Sequence, residues 1–290
     1  MNLYFKWMLW RYKLRANRLI NRELKELSIE PDILKEAIAY VLNSGGKRIR
    51  ACLTFIAGDI FKSPTVANDI VALTLETIHA ASLVHDDLPY IDDAMMRRDA
   101  LCCHVKYGND IGIITGSAMQ ALTAYFMTQE IPNLSPKLQK MMIIELIQLT
   151  GSSGLVGGEA LDIMLMDTPL SLQQLEKIYH LKTGALITAA VKLPAIAANQ
   201  HETQKCDAMV NYAQCLGLAY QIKDDILDYE EELNTTGNCT KVTYPQLSGL
   251  GKAQEKVQEL CDSALDGIKN AGIKNKILYD LAQYLSCRSH

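Results

Sequence analysis

"VANDIVALTLETIHAASLVHDD", residues 66–87, is a long and almost wholly apolar run at helical spacing. A helix that is apolar on all sides is stable only when other elements surround it, so we expect this one to be central and buried. The run ends in two adjacent acids, Asp86 and Asp87, and Pro89 follows them. Because proline disfavours helical backbone at the residue before it, the helix should end near Leu88. The pattern predicts a core helix that carries carboxylates at its end.

The rest of the chain has the same helical character. Segments 32–46, 171–200 and 205–233 place apolar residues at helical spacing; the first ends on two glycines and the second opens on a serine that can cap a helix. The sustained alternation that is typical of strands is absent from the sequence. Proline, glycine and serine are scattered, so no linker divides the 290 residues. We therefore predict an all-α fold, with a single domain over residues 1–290.

The composition argues against several classes of function. The net charge is −4, so no overall basic balance points to nucleic acid. The eight cysteines show no CxxC pair and no metal spacing, which favours buried thiols in a reducing compartment. No stretch approaches an uninterrupted apolar length that would span a membrane. We expect a cytoplasmic protein with no transmembrane segment and no nucleic-acid partner.

The N-terminal segment is basic and aromatic. Residues 1–25 contain seven Lys or Arg, one acid and five aromatic residues. Basic residues and tryptophan suit a membrane surface, so a membrane-surface helix is one interpretation. The alternative is a first helix that packs its aromatic side chains on the core or on a partner subunit, and we favour this alternative.

Two groups of carboxylates lie at the ends or faces of apolar helices. Asp92 follows Asp86 and Asp87 across the proline break, where a bulge could bring it back beside Asp86. Asp224 and Asp228 are spaced i, i+4 and share one helix face. Two carboxylates about 4 Å apart repel by roughly 4 kcal/mol at an effective dielectric near 20. Such a cost requires a compensating interaction.

Three interpretations of the carboxylates compete. A solvated acidic face is the usual one, but solvated faces rarely lie on helices this apolar. A pair that shares a proton could do acid–base chemistry, although two groups exceed what that chemistry needs. Mg²⁺ binds one or two carboxylates, keeps several waters and accepts phosphate oxygens. We favour Mg²⁺, since the clusters offer no other partner that would neutralise them.

Cationic side chains support a phosphate-bearing ligand. "SGGKRIR", residues 44–50, sets Lys47, Arg48 and Arg50 directly after a pair of glycines. Further cations are Arg97, Arg98, Lys182 and Lys241. Each one alone is most simply a surface charge with a solvated head, and for Arg48 we adopt that interpretation. Together with carboxylates suited to Mg²⁺, the others indicate one or two diphosphate groups.

At this point the motifs become recognisable. The chain resembles the (E)-prenyl diphosphate synthases, and among them most closely the bacterial farnesyl diphosphate synthases. The stretches that carry the resemblance are "SGGKRIR", "IHAASLVHDDLPYIDD…RR", "GLVGGEALDI", "LEKIYHLKTGALI", "GLAYQIKDDILDY" and "KVTYP", which span residues 44–245. The resemblance implies an all-α fold of antiparallel helices around a deep central cavity, and usually a homodimer. It also implies Mg²⁺-assisted ionisation of an allylic diphosphate, which isopentenyl diphosphate then attacks.

The resemblance implies a role for individual residues. The metal ligands would be Asp86, Asp92 and Asp224, with Asp87 and Asp228 as close supports, and Lys182 would join the ligands as a catalytic residue. The isopentenyl diphosphate site would comprise Lys47, Arg50, His79 and Arg98. The allylic diphosphate site would comprise Arg97, Lys182, Thr183, Gln221 and Lys241.

Several positions depart from the family pattern. Residues 99–104 read "DALCCH" where the family usually has "GKPTCH", and Ala94 and Met95 replace acids. A common Gly-Asp reads Gly116-Ser117, and Asn238 stands where the family usually has lysine. The departures leave the metal ligands intact, but they bear on turnover and on closure of the site.

Alternative functions stay open. The chain could be a geranylgeranyl diphosphate synthase, a catalytically weak partner subunit of another prenyl synthase, or a terpene cyclase. Such partner subunits typically lose the Asp motifs, and a cyclase needs no second diphosphate site. Product length is a separate question, because Ala81 and Ser82 are small where farnesyl-making relatives usually carry an aromatic residue. Opening that space would favour a twenty-carbon product unless Met119, Tyr125 or Phe126 refills it.

Overall fold

The computed structural model describes residues 3–165, 168–235 and 242–287, and these residues are predominantly helical. The helices, in chain order, are α1 (Leu3–Glu26), α2 (Asp32–Asn43), α3 (Ile49–Phe61), α4 (Thr65–Asp86), α5 (Cys103–Tyr107), α6 (Asn109–Met127), α7 (Pro136–Thr150), α8 (Leu155–Leu165), α9 (Leu172–Tyr179), α10 (Ala185–Ala197), α11 (Gln204–Thr235), α12 (Tyr244–Ser248), α13 (Leu250–Asn270) and α14 (Lys276–Cys287). A π-helical turn, His180–Gly184, joins α9 to α10. Two short strands, β1 (Met96–Arg97) and β2 (Ala100–Leu101), pair as a hairpin. The predicted all-α class is confirmed.

Internal contacts divide the chain into two compact units. The α4 unit comprises Leu9–Ile143, and the α11 unit comprises Met1–Met8 together with Ile144–His290. The expectation of one domain over residues 1–290 stays a prediction.

Helix α4 is the core of its unit, as its apolar sequence predicts. It runs for 22 residues, from Thr65 to Asp86, within one residue of the segment that its pattern marks. Most of its side chains are buried, and it packs against α3 and α6. Burial on several sides explains why polar residues on this helix need partners within the protein, since an unpaired buried charge is strongly unfavourable.

A buried ion pair ties the start of α3 to α4. Arg48 is 5% exposed and its NH1 lies 3.2 Å from Oε2 of Glu76, which is itself 3% exposed. The same guanidinium donates to Oδ1 of Asn17 at 3.1 Å and to the carbonyl of Leu42. Oε1 of Glu76 accepts the backbone N–H of Ala51. The interpretation of Arg48 as a solvated surface charge is therefore wrong, because the residue is an internal link between α1, α2 and α4.

In the α11 unit, α8 lies close to the π-helical turn. Gly158 of α8 has no side chain, and a Cβ at this position would lie 2.6 Å from the backbone nitrogen of Lys182. Only glycine permits such a close approach without displacing the backbone. Helix α9 begins at a capping box in which Ser171 and Gln174 exchange hydrogen bonds with each other's backbone N–H groups. The capping box fixes where α9 starts, and Gly158 lets the π-helical turn lie close to α8.

One stretch is long and apolar enough to cross a membrane by length and composition. It runs from Pro136 to Leu165; an 18-residue window within it has a mean hydropathy of 1.2, and 28% of that window is buried in the structure. Residues 151–154 form a turn that divides it into α7 and α8. Helices in the core of a protein pass the same test, so the expectation of no transmembrane segment stays a prediction.

We predict that Arg48→Met destabilises the fold by about 3–5 kcal/mol, because it leaves the Glu76 carboxylate buried without its partner. The measurement is the free energy of unfolding in urea. Lys47→Met is the matched control, since Lys47 is adjacent and exposed, and it should change that free energy by less than about 0.5 kcal/mol. The double variant Arg48→Met/Glu76→Met should recover part of the loss. A double variant no more stable than Arg48→Met would contradict the charge argument.

Candidate active site

The chain leaves α4 through an acidic turn that brings Asp92 back to Asp86. The backbone N–H of Asp92 donates to the carbonyl of Asp86 at 2.9 Å, and the N–H of Ala94 donates to the carbonyl of Asp87 at 3.2 Å. Asp86 is buried, whereas Asp92 is exposed. The bulge expected from the proline break is thus present, and it places the backbones of two proposed metal ligands next to each other.

Asp87 has a cationic partner within the chain. Nε of Arg97 lies 2.6 Å from Oδ1 of Asp87, and Asp87 is 4% exposed. The buried Cys102 also hydrogen-bonds Asp87; burial and this contact raise the pKa of the Cys102 thiol to about 12. The expectation that the acidic cluster has no other partner that neutralises it is wrong for Asp87, because Arg97 offsets much of its repulsion of Asp86.

The hairpin directs its two arginines to different partners. Arg98 and Asp99 form its two-residue turn, and both have positive φ, 54° and 64°, as a type I′ turn requires. Arg97 is in the strand and reaches Asp87, whereas Arg98 donates to the carbonyl of Gly45 at 2.8 Å. The second arginine therefore faces the loop before α3 and not the acidic turn.

Arg98 belongs to a cluster of cations around His79. Its NH2 lies 3.4 Å from Nε2 of His79 on α4. Burial, followed by the positive charges of Arg50 and Arg98, holds the pKa of His79 well below its ordinary value. Gly46 permits the approach of Arg98, because a Cβ there would lie 2.8 Å from NH1 of the guanidinium. The α4 unit thus brings together three of the four residues proposed for one diphosphate, and such a group attracts anions.

Lys47, the fourth residue, is exposed in the same loop, two positions after Gly45. Its position next to the cluster follows from the short chain distance to Gly45 and Gly46.

In the α11 unit, Gln221, Asp224 and Asp228 share one face of α11, as their spacing predicts. Gln221 and Asp224 are half-buried and Asp228 is exposed. Asp225 is different: it is buried and accepts hydrogen bonds from the hydroxyl of Tyr179 and, at 2.7 Å, from the backbone N–H of Tyr244. Burial, and then the charge of Asp225, raises the pKa of Tyr179. Asp225 therefore links α9, α11 and α12.

Lys182 lies in the π-helical turn between two carboxylates. Its Nζ is 2.8 Å from Oε2 of Glu159 and 2.8 Å from Oδ2 of Asp162, both on α8. Burial lowers the pKa of Lys182, but the bonds to Asp162 and Glu159 outweigh it, so the pKa lies above its ordinary value. Thr183, next in the turn, is half-buried. Single-turn π-helices are frequent at functional sites, which agrees with the placing of Lys182 in a site.

Sequence reasoning missed Glu159 and Asp162 as partners of Lys182, and Asp225 as the link between α9, α11 and α12. A weak signal existed for the first two, since residues three apart share a helix face and both fall within a recognised motif. For Asp225 there was none, because its partners are remote in sequence. Lys241 and Asn238 lie outside the described residues.

The acidic turn fits a divalent cation. Among the residues that the structure describes, no three His, Cys, Asp or Glu side chains converge as a ready-made metal cage. Mg²⁺ requires less, since one or two carboxylates suffice when water and phosphate oxygens complete its octahedron. Asp86 and Asp92 supply oxygen donors of that type on adjacent backbone.

Comparison with known proteins decides the family. A family model described as "Polyprenyl synthetase" matches residues 31–280. The chain belongs to the polyprenyl synthetase family. Its match with the farnesyl diphosphate synthase of Escherichia coli (strain K12) is 36% identical over 286 residues, covering 95% of this chain and 96% of that protein. The predicted family and the predicted prenyltransferase class are confirmed.

Other members of the polyprenyl synthetase family are also similar. The chloroplastic geranylgeranyl pyrophosphate synthase 11 of Arabidopsis thaliana is 34% identical over 271 residues, covering 89% of this chain and 76% of that one. The crystal structure of a geranyltransferase from Legionella pneumophila superposes with a TM-score of 0.89 at 32% identity, covering 99% of this chain and 97% of that one. Relatives named for different products are thus about equally similar, so similarity alone does not set product length.

Proposed function

We propose that this chain is a short-chain prenyl diphosphate synthase that joins isopentenyl diphosphate to an allylic diphosphate and makes farnesyl diphosphate. The observation that carries the proposal is the hairpin at the end of α4. It connects the acidic turn, through Arg97, with the cation cluster around His79, through Arg98. One end of one helix thus offers both a metal-binding turn and an anion site, which suits a reaction between two diphosphates.

The proposed roles follow the chemistry of each group. Asp86, Asp92 and Asp224 would hold Mg²⁺, which when bound neutralises the diphosphate that leaves the allylic substrate. Lys47, Arg50, His79 and Arg98 would bind and orient isopentenyl diphosphate. Since His79 is held neutral, it can accept a hydrogen bond from Arg98 and leave the guanidinium charge for the phosphate.

The allylic site would comprise Arg97, Lys182, Thr183, Gln221 and Lys241. Glu159 and Asp162 hold Lys182 in place until a diphosphate competes for its ammonium group. The C–O bond of the allylic substrate breaks, the double bond of isopentenyl diphosphate attacks the allylic cation, and the departing diphosphate takes the proton that is lost. Apolar side chains exclude water that would quench the cation.

Packing around Ala81 supports a fifteen-carbon product. Ala81 is fully buried, and Met119 (0% exposed) and Phe126 (2% exposed) of α6 belong to the same buried cluster. Tyr125 is 49% exposed, so it is not among the groups that refill the space. The small residue on α4 is therefore compensated by α6. The second candidate, a geranylgeranyl diphosphate synthase, draws on the small size of Ala81 and Ser82 and on the similarity to relatives named for that product.

The assembly and the location are also proposals. We propose a homodimer, which the exposed apolar side chains Ile113, Ile114 and Tyr125 of α6 support. We propose a cytoplasmic enzyme, since the six cysteines that the structure describes as free thiols are all buried and suit a reducing compartment.

The enzyme should require Mg²⁺ or Mn²⁺ absolutely. Asp86→Asn and Asp224→Asn should each lower kcat by roughly 100-fold or more, because a metal contributes several kcal/mol to charge stabilisation and each 1.36 kcal/mol is tenfold in rate. Product formation from isopentenyl and geranyl diphosphates is the measurement. Asp93→Asn is the matched control, as Asp93 is exposed beside Asp92 and is assigned no ligand role. Full activity in excess EDTA would overturn the metal assignment.

The two diphosphate sites should be separable by mutation. Arg50→Ala should raise KM for isopentenyl diphosphate by roughly 10-fold or more and leave KM for the allylic substrate little changed, since a charge-assisted hydrogen bond contributes about 1.5–3 kcal/mol. Lys182→Ala should do the opposite. Steady-state kinetics with each substrate varied in turn provide the test. Equal effects of both variants on both substrates would show that the assignment of the sites is wrong.

Met119→Ala should lengthen the product toward twenty carbons, because it removes the buried side chain that fills the space beside Ala81. Chain-length analysis of the extracted products is the measurement. Met127→Ala is the matched control, as Met127 is equally buried on the same helix and lies outside the cluster of Ala81. Equal lengthening by both variants, or by neither, would contradict Met119 as the residue that closes the pocket.

A further inference from the structure

Helix α1 has an exposed apolar stripe. Leu3, Trp7 and Trp10 follow one another at spacings of four and three residues, so they lie on one face. They are 83%, 48% and 56% exposed. On the opposite face Phe5 is fully buried and Ala16 is 3% exposed, so the helix is already packed on its other side. The favoured expectation is that the aromatic residues of this segment pack on the core or on a partner subunit; Phe5 packs on the core, whereas the two tryptophans are exposed on this chain.

The stripe is bordered by cations. Lys6 and Arg11 flank it and are exposed, and Arg18 is exposed on the same side two turns further on. The first acidic residue of the chain is Glu23, so every charged side chain before it is basic. A basic surface of this kind disfavours a second identical surface, because like charges would face each other across the contact. It favours an anionic partner.

We propose that this face of α1 binds the surface of an anionic lipid membrane. Tryptophan has an apolar body and one N–H donor, which suits the boundary between headgroups and acyl chains. An interfacial helix buries its apolar face about 5–10 Å into that boundary while Lys and Arg contact anionic headgroups. Leu3, Trp7 and Trp10 form the inserting stripe, and Lys6 and Arg11 form the headgroup contacts. The proposal does not rest on the proposed enzymatic function.

The chain offers a direct probe of this contact. Its only two tryptophans are Trp7 and Trp10, so tryptophan fluorescence reports on the stripe alone. The full chain is mixed with phosphatidylcholine vesicles, with or without phosphatidylglycerol, and binding is measured by co-sedimentation and by the emission maximum. We expect co-sedimentation and a blue shift with the anionic vesicles. Both should weaken strongly near 1 M salt, where the Debye length falls to about 3 Å.

Charge-reversal variants test the site. Lys6→Glu/Arg11→Glu should weaken binding to anionic vesicles on the order of 10-fold or more, since each basic residue near the surface contributes substantially. Lys252→Glu/Lys269→Glu is the matched control: both lysines are exposed on α13 and the change in net charge is the same. It should bind as the unmodified chain does. Trp7→Ser/Trp10→Ser should lose co-sedimentation and keep the helical circular dichroism and the oligomeric state.

Four results would overturn the proposal. They are equal binding to neutral vesicles, equal loss in the α13 control, no binding to either kind of vesicle, and a blue shift that grows with protein concentration in the absence of lipid. The last result, or a change of oligomeric state in Trp7→Ser/Trp10→Ser, would identify a second copy of the chain as the occupant of this face.

Discussion

The buried pair of Arg48 and Glu76 is the interaction on which the α4 unit depends. The guanidinium reaches α1 through Asn17 and the end of α2 through Leu42, while the carboxylate holds the first turn of α3 through Ala51. Four helices thus meet at one ion pair. A buried charge is strongly unfavourable when it is separated from its partner, so the Arg48–Glu76 pair restricts the path of residues 44–48. That path places the carbonyl of Gly45 where Arg98 can bind it.

The β1–β2 hairpin directs its two arginines, Arg97 and Arg98, to different partners. Arg97 forms an ion pair with Asp87, and this pair lowers the repulsion between the adjacent carboxylates of Asp86 and Asp87 at the end of an apolar helix. Arg98 is kept away from the acids by the turn and remains beside His79. Neighbouring residues of identical chemistry therefore contact different partners, because a strand residue and a turn residue point in different directions. In the α11 unit the adjacent residues Asp224 and Asp225 likewise differ in their surroundings: Asp224 is half-buried on the helix face, whereas Asp225 is buried.

Local patterns predicted what depends on local geometry. The bounds of α4, the return of Asp92 to Asp86 after the proline and the shared face of Asp224 and Asp228 all follow from helix periodicity and backbone restrictions. The errors concern partners that are distant in the chain. Arg48 was assigned to the surface because Glu76 lies 28 residues further on, and Lys182 was expected without Glu159 and Asp162. Tyr125 was a candidate for filling the product pocket, but periodicity within α6 does not tell which side of the helix meets α4.

The turn of the hairpin has a consequence for substitution at Arg98. Positive φ at two consecutive positions is adopted most easily by glycine and asparagine, and here the positions hold arginine and aspartate. A substitution of Arg98 by glycine would relax the backbone while it removed the guanidinium from His79. A relaxed backbone and a guanidinium beside His79 are therefore mutually exclusive at this position. The conformation of Arg98 therefore combines backbone strain with a guanidinium that stays beside His79.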